Sequence, residues 1–171
     1  MAKRNITVAE CAAKIVTAWK PGLLLTSKAG DEVNSMAIGW GSVGRIWEKP
    51  VFVAYVRSSR HTCSLIDASG EFTVNIPVDG VDLDALILCG TKSGRDMDKI
   101  AAAGLTLVEP EVVSVPAVKE FPLTLECRVL YREEQECSRL EERIVRDFYT
   151  DETAGHIAYY GEILASYLIE D

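Results

Sequence analysis

The chain has 171 residues, a length that fits one domain with a full core. Apolar residues make up 48% and charged residues 26%, near the averages of a soluble globular protein, so neither a disordered chain nor a disulfide-stapled miniprotein fits. The 18 Lys+Arg stand against 26 Asp+Glu, a net charge of −8, and no block of five or more basic residues offsets it, which disfavours nucleic acid as a partner.

In chain order, apolar residues at helical spacing over 8–19 predict a helix ended by Pro21-Gly22. Residues 23–27 read as a buried strand, 29–31 as a turn and 33–40 as a second strand, together a hairpin. Pro50 opens a strand over 51–56, rich in β-branched and aromatic residues. A short helix is expected over 58–67, entered through Ser58 or Ser59, then a strand over 71–76 closed by Pro77. Two short helices follow, 83–89 and 96–103, the second stopped by Gly104. Pro110 and Pro116 interrupt 107–118, 122–131 alternates as a long strand, the charged stretch 133–146 reads as an exposed helix or loop, and 156–168 is a final strand. Strands outnumber regular βα alternations, so the pattern predicts one domain over 1–171, mainly β with short helices, built as a barrel.

No apolar run approaches the ~18 residues that cross a membrane, and MAKRNITVAE lacks an apolar leader core. Five cysteines at wide spacings, without a CxxC pair, read as free thiols in a reducing cytoplasm. Two histidines and scattered cysteines make no metal set. There is no GxGxxG, no P-loop, no GxSxG and no HExxH.

Four segments carry polar groups that could serve a ligand. Asn34-Ser35-Met36-Ala37, continuing to Trp40 between Gly39 and Gly41, offers donors, acceptors and a flat apolar ring; a twisted strand with a bulge has the same composition. Arg57-Ser58-Ser59-Arg60-His61-Thr62 lies where a strand turns into a helix. Two guanidinium groups and three hydroxyls there fit an anion seat, or an ordinary cap with exposed arginines. Residues 90–99 pair Lys92, Ser93 and Lys99 in a loop between helices, suited to a phosphate or simply solvated. His156 opens the last strand after an acidic turn at Asp151 and Glu152, as a ligand donor or an exposed strand end.

These segments, as NSMAIGWGSVGRIWEKPVFVAYVRSSRHT, SGRDMDK and GHIAYYGEILA, resemble the flavin reductase-like family of FMN-binding split barrels, which includes flavoredoxin. The resemblance spans 23–168 and implies a six-stranded split β-barrel, a homodimer and an FMN site bordering the subunit interface. It implies that Asn34, Ser35, Met36, Ala37 and Trp40 line the isoalloxazine and ribityl region. By the same resemblance the 57–62 turn holds the phosphate, Lys99 with Lys92 or Ser93 adds charge or a polar contact, and His156 approaches the flavin. The expected activity is NAD(P)H-dependent flavin reduction, with hydride passing from nicotinamide to flavin N5 and no protein residue as obligatory acid or base. An electron carrier served by a redox partner protein, and a non-catalytic FMN-binding dimer, are the alternatives. Three departures stand out: Arg-Ser-Ser at 57–59 where relatives often have Arg-Pro-Ser, Ile100 where an aromatic is common, and a 133–153 segment longer and more acidic than a minimal barrel requires.

Overall fold

In the computed structural model, which describes residues 1–78, 80, 82–149 and 155–170, the alternating apolar segments assemble into one coiled antiparallel sheet. The elements are β1 (Ala2–Asn5), α1 (Val8–Ala18), β2 (Leu23–Ala29), β3 (Glu32–Ile38), β4 (Gly41–Ile46), β5 (Lys49–Arg57), α2 (His61–Ser69), β6 (Glu71–Ile76), α3 (Leu83–Thr91) and α4 (Lys99–Ala102). There follow β7 (Leu107–Val108), β8 (Ala117–Val118), β9 (Leu123–Glu134), α5 (Glu142–Phe148) and β10 (His156–Glu170). The strands run in the order β3-β2-β6-β9-β10-β5-β4, with β1 paired to the far end of β10 and β7 pairing only β8.

β10 organises this sheet. Its first half pairs β5 from His156↔Arg57 to Glu162↔Val51, its last residues pair β1, and β9 lies along its other side. Register shifts between Tyr160/Gly161 and Ile163/Ala165 mark irregularities that add bend and twist to so long a strand. At Gly161 the sheet closes onto the core: a Cβ there would lie 2.5 Å from the Phe72 ring and 2.9 Å from Cys127 Cβ. Inside lie Leu23, Leu25, Phe52, Phe72, Val74, Leu125 and Tyr159, while Leu24, pointing the other way, packs with Leu86, Cys89, Leu105 and Phe121. Both faces of β2 are covered, which is why Leu23-Leu24-Leu25 is continuously apolar.

α1 matches its expected span. Thr7 and Glu10 form a reciprocal capping box, and Cys11, Ile15 and Ala18 bury one face. Four expectations need correction. β4 was not anticipated, because its hairpin turns at Trp47-Glu48, both with positive φ (50° and 60°), in place of the Asn-Gly pair that usually signals such a turn. Trp47 is braced there by Tyr131 and Tyr160, with ring centroids 6.2 and 6.0 Å away. β1 also escapes the pattern, since AKRN has no apolar alternation and is held by pairing to β10. The helix expected over 58–67 starts later: Arg60 N–H donates to the Arg57 carbonyl at 2.9 Å, closing a turn first, so neither Ser58 nor Ser59 caps it. The helix expected over 96–103 shortens to α4, because the Asp98 side chain accepts from Ala101 N–H at 3.1 Å and caps there.

The interrupted 107–118 stretch folds around a buried carboxylate. Glu126 accepts from the amides of Glu111 (2.6 Å), Val112 (2.7 Å) and Val113 (3.1 Å) and from the Tyr167 hydroxyl (2.7 Å). The charged 133–146 stretch divides between the end of β9, a 3-10 turn at Cys137–Arg139 and α5. The turn at Asp151 and Glu152 lies outside the described residues. All five cysteines are unpaired. Burial pushes the Cys11 thiol up to about 11 and raises those of Cys63, Cys89 and Cys127, so none of these four is poised as a thiolate. Among the described residues no helix is long and apolar enough to cross a membrane.

Candidate functional site

β5 delivers Arg57 to the sheet rim, the chain turns, and α2 begins at His61. β3 runs alongside and presents Asn34 and Met36. The α3–α4 connection returns with Lys92, Ser93, Gly94 and Arg95, and Lys99 follows at the start of α4. Together with Ser59, Arg60 and Thr62, these residues enclose a cleft of about 410 Å3. A bond joins its walls, Arg95 Nη1 donating to the Ser59 carbonyl at 3.2 Å, and Cys63 Sγ braces the β5–α2 corner from behind by donating to the Arg57 carbonyl at 3.3 Å.

The electrostatics are one-sided. Arg57, Arg60, Lys92, Arg95 and Lys99 line the cleft, and among the described residues no lining residue is a carboxylate, in a chain of net charge −8. Lys99 is only 4% exposed, and its Nζ donates to the Cys89 carbonyl at 3.3 Å. Burial lowers its pKa, and the Arg60 guanidinium lowers it further. The N-termini of α1, α3 and α4 are capped by Thr7, Asp82 and Asp98, whereas α2, like α5, has no side-chain cap. The first amides of a helix have no intrahelical acceptor, and here they belong to His61 and Thr62, both in the lining.

Asn34 is the polar hinge of the floor. It is 3% exposed, and its Nδ2 donates to Thr62 Oγ1 at 2.9 Å. Its Oδ1 is buried without a hydrogen-bond partner in the protein. Buried amide oxygens are normally satisfied, so this one marks a place for a donor. Gly94 comes so close that a Cβ would fall 2.2 Å from that oxygen and 3.2 Å from His61 Cδ2. His61 Nε2 meets the Glu32 carboxylate at 2.6 Å, which turns its ring toward the β3 side.

Of the residues singled out in the sequence, Asn34, Met36, Arg57, Ser59, Arg60, His61, Thr62, Lys92, Ser93 and Lys99 come together here. Ser35 and Ala37 fall on the opposite face of β3, as the period of a strand requires: Ser35 Oγ bonds Thr26 Oγ1 at 2.7 Å, and Ala37 packs beside Gly90. Ser58 is outside the lining, with its N–H donated to the Gly155 carbonyl at 3.0 Å. Gly94 and Arg95 were not singled out; the signal was a glycine among cations and hydroxyls in SGRDMDK.

Trp40 and His156 sit in an adjoining aromatic cluster, their rings 4.7 Å apart. His156 is buried, not an exposed strand end. Its Nδ1 lies 3.0 Å from the Tyr149 hydroxyl, which donates to Gln135 Oε1 at 2.7 Å. Burial, then the Arg57 charge, depresses its pKa to about 4, so the ring is neutral at pH 7. Arg57 joins the two regions: it lines the cleft, and its Nη2 donates to the Phe148 carbonyl at 3.2 Å.

The comparisons with known proteins agree with one another. The flavin reductase like domain matches residues 19–171. Uncharacterized proteins of Archaeoglobus fulgidus and Pyrococcus abyssi are each 37% identical over 106 residues, 62% of this chain and 49% and 59% of those proteins. The chain thus spans about half to three-fifths of the length of these relatives. Among solved structures, flavoredoxin from Methanosarcina acetivorans is 28% identical with a TM-score of 0.69, covering 87% of this chain and 68% of that one. Flavoredoxin of Desulfovibrio vulgaris is 25% identical with a TM-score of 0.69, covering 87% and 69%. An FMN-binding domain of a flavin reductase-like enzyme from Shewanella baltica shares the fold at 17% identity and a TM-score of 0.72, covering 98% and 77%. With most of its length matched, and with the β5–α2 corner and the SGRDMDK loop brought onto one cleft, the chain belongs to the flavin reductase-like domain family and has its split β-barrel fold.

Proposed function

We propose that the chain binds FMN, with the phosphate in the cationic cleft, and acts as an NAD(P)H-dependent flavin oxidoreductase. The observation that carries this reading is the five-cation cleft, without a carboxylate among the described lining residues, set against the uncapped start of α2. A phosphate monoester carries about −1.5 to −2 charges at pH 7 and three acceptor oxygens, and such a donor set matches it. Thr62 fits as a donor, because the Asn34 bond uses an oxygen lone pair and leaves the hydroxyl proton for a ligand. The orphaned Asn34 Oδ1 fits a ligand N–H or O–H. FMN, when bound, supplies hydride acceptance at its N5, a chemistry no side chain of the cleft has. The chain's own part is to hold the phosphate, orient the ring system and keep the neighbouring His156 uncharged. A homodimer in a reducing cytoplasm belongs to the same reading, and five unpaired cysteines are compatible with it.

The test is the visible spectrum of the purified protein with FMN, followed by NADH or NADPH without air. Bound flavin that bleaches on adding either nicotinamide is the expected result; no flavin binding at micromolar concentration would refute the reading. A second reading, an electron carrier reduced by a partner protein, draws support from the two flavoredoxins at 28% and 25% identity. It predicts bound flavin that stays oxidised with NAD(P)H until a partner reductase is added.

A further inference from the structure

The His61 ring, in the lining of the cationic cleft, has an acceptor against each of its nitrogens. Nε2 meets the Glu32 carboxylate at 2.6 Å, and an ionised carboxylate only accepts. Nδ1 faces the Ser64 hydroxyl at 3.4 Å. That hydroxyl donates its one proton to the His61 carbonyl at 2.7 Å, so it turns a lone pair toward the ring. A neutral imidazole has a single N–H and cannot donate to both partners, whereas the imidazolium can. The His61 side chain is only 14% exposed, and the carboxylate that meets it comes from β3, where Glu32 pairs with Ala29 at the end of the β2–β3 hairpin.

Groups of both signs act on this ring. Arg57 from β5, Arg60 just before α2, and Lys92, Arg95 and Lys99 from the α3–α4 return line the same cleft and oppose one more positive charge. Glu32 favours that charge, and Asp31 and Asp98 line a neighbouring hollow together with Glu32 and add to its side. Glu32 is outside the lining of the cationic cleft, so its carboxylate reaches the ring without standing where a phosphate would sit. A phosphate monoester entering the cleft brings about −1.5 to −2 charges to this divided field and tips it toward the imidazolium.

We propose that Glu32 is a positioning residue of the phosphate seat: it holds His61 with both ring nitrogens as donors, and phosphate binding is thereby coupled to uptake of a proton by His61. The inference deepens the FMN reading and rests on it for the place of the phosphate. The proton comes from solvent onto a ring nitrogen and returns to solvent when the ligand leaves. By linkage, the affinity for a phosphate ligand rises as pH falls through the range in which the histidine charges. The second ionisation of the phosphate acts in the opposite direction, but it belongs to the ligand and cancels between variants.

The test is isothermal titration calorimetry of the full chain with FMN at pH 7, in two buffers of different ionisation heat, which counts the protons taken up. Wild type should take up at least about 0.3 proton per FMN more than His61→Gln, and riboflavin, which has no phosphate, should show no such difference. Between pH 8 and pH 6 the wild-type-to-His61→Gln ratio of FMN affinities should rise at least about threefold, within the roughly tenfold that one pH unit of linked protonation allows. Glu32→Gln should move the uptake to lower pH, so that at pH 7 it falls to the His61→Gln value. By charge alone, removing a carboxylate near an anion seat strengthens FMN binding equally at every pH and leaves the uptake unchanged; that result, or an affinity ratio flat from pH 8 to pH 6, would overturn the proposal. Should His61→Gln fail to fold by circular dichroism, Glu32→Gln, altered at a side chain 53% exposed, takes its place in both measurements. Absence of FMN binding brings down the flavin reading and this one with it; FMN binding with equal proton uptake in all three proteins brings down this inference alone.

Discussion

Replacing Lys99 by Met tests what the cationic cleft is for. The substitution keeps much of the side chain's length and removes one ammonium that is 4% exposed and bonded to the Cys89 carbonyl at 3.3 Å. Two effects of opposite sign follow. Burial and Arg60 hold the Lys99 pKa below that of a free lysine, so at neutral pH the protonated form strains the folded state. That strain is relieved by deprotonation at high pH or by an anion, and Lys99→Met should therefore raise the melting temperature of the flavin-free protein. In the bound state the same ammonium would donate to phosphate. A charge-assisted hydrogen bond contributes about 1.5–3 kcal/mol, which corresponds to about 10- to 150-fold in affinity for FMN. Riboflavin has the same ring system and no phosphate, so its affinity should change by less than about twofold. Titration of flavin fluorescence at low salt and again near physiological ionic strength measures both, and the FMN effect should persist because a buried charge is weakly screened. Equal weakening of FMN and riboflavin, or a lower melting temperature with an unchanged FMN-to-riboflavin ratio, would refute the assignment of Lys99 to an anion.

Three further outcomes are expected. Gly94→Ala drives a Cβ to 2.2 Å from Asn34 Oδ1, and the shift it forces should cost about 1–3 kcal/mol, read as lost flavin affinity in a protein whose far-ultraviolet circular dichroism is unchanged. Gly161→Ala places a Cβ 2.5 Å from the Phe72 ring in the core, and urea unfolding should show a destabilisation of about 1–3 kcal/mol or more. His156 has a pKa of about 4 in the folded chain against an ordinary 6.5, so the unfolded state takes up the proton first as pH falls. Stability should be flat above pH 6.5 and decline from there to about pH 4, by on the order of 3 kcal/mol at most, and His156→Gln should flatten that decline in urea titrations across the range.

Much of the barrel was legible because strands and helices write their periods into local sequence. The β-branched run of β5, the helical apolar spacing of α1 and the proline stop after β6 are decided by neighbours in the chain. The cleft was legible for a related reason. A strand-to-helix corner carrying two arginines and three hydroxyls is anomalous in an acidic chain, and so is SGRDMDK. What sequence alone could not supply is which of these groups meet. Only the sheet order sets β3 beside α2, so that Asn34 bonds Thr62 across 28 positions, and only the α3–α4 return brings Gly94 against Asn34. The period of β3 turned Ser35 and Ala37 away from a cleft that Asn34 and Met36 face. The placement of Trp40 and His156 in an aromatic cluster adjoining the cationic cleft follows from long-range pairing of β10 with β5 and from the β9–β10 connection folding back over Trp40. Local propensity fixes what each segment is; the distance between two segments is set by a core whose contacts join residues far apart in the chain.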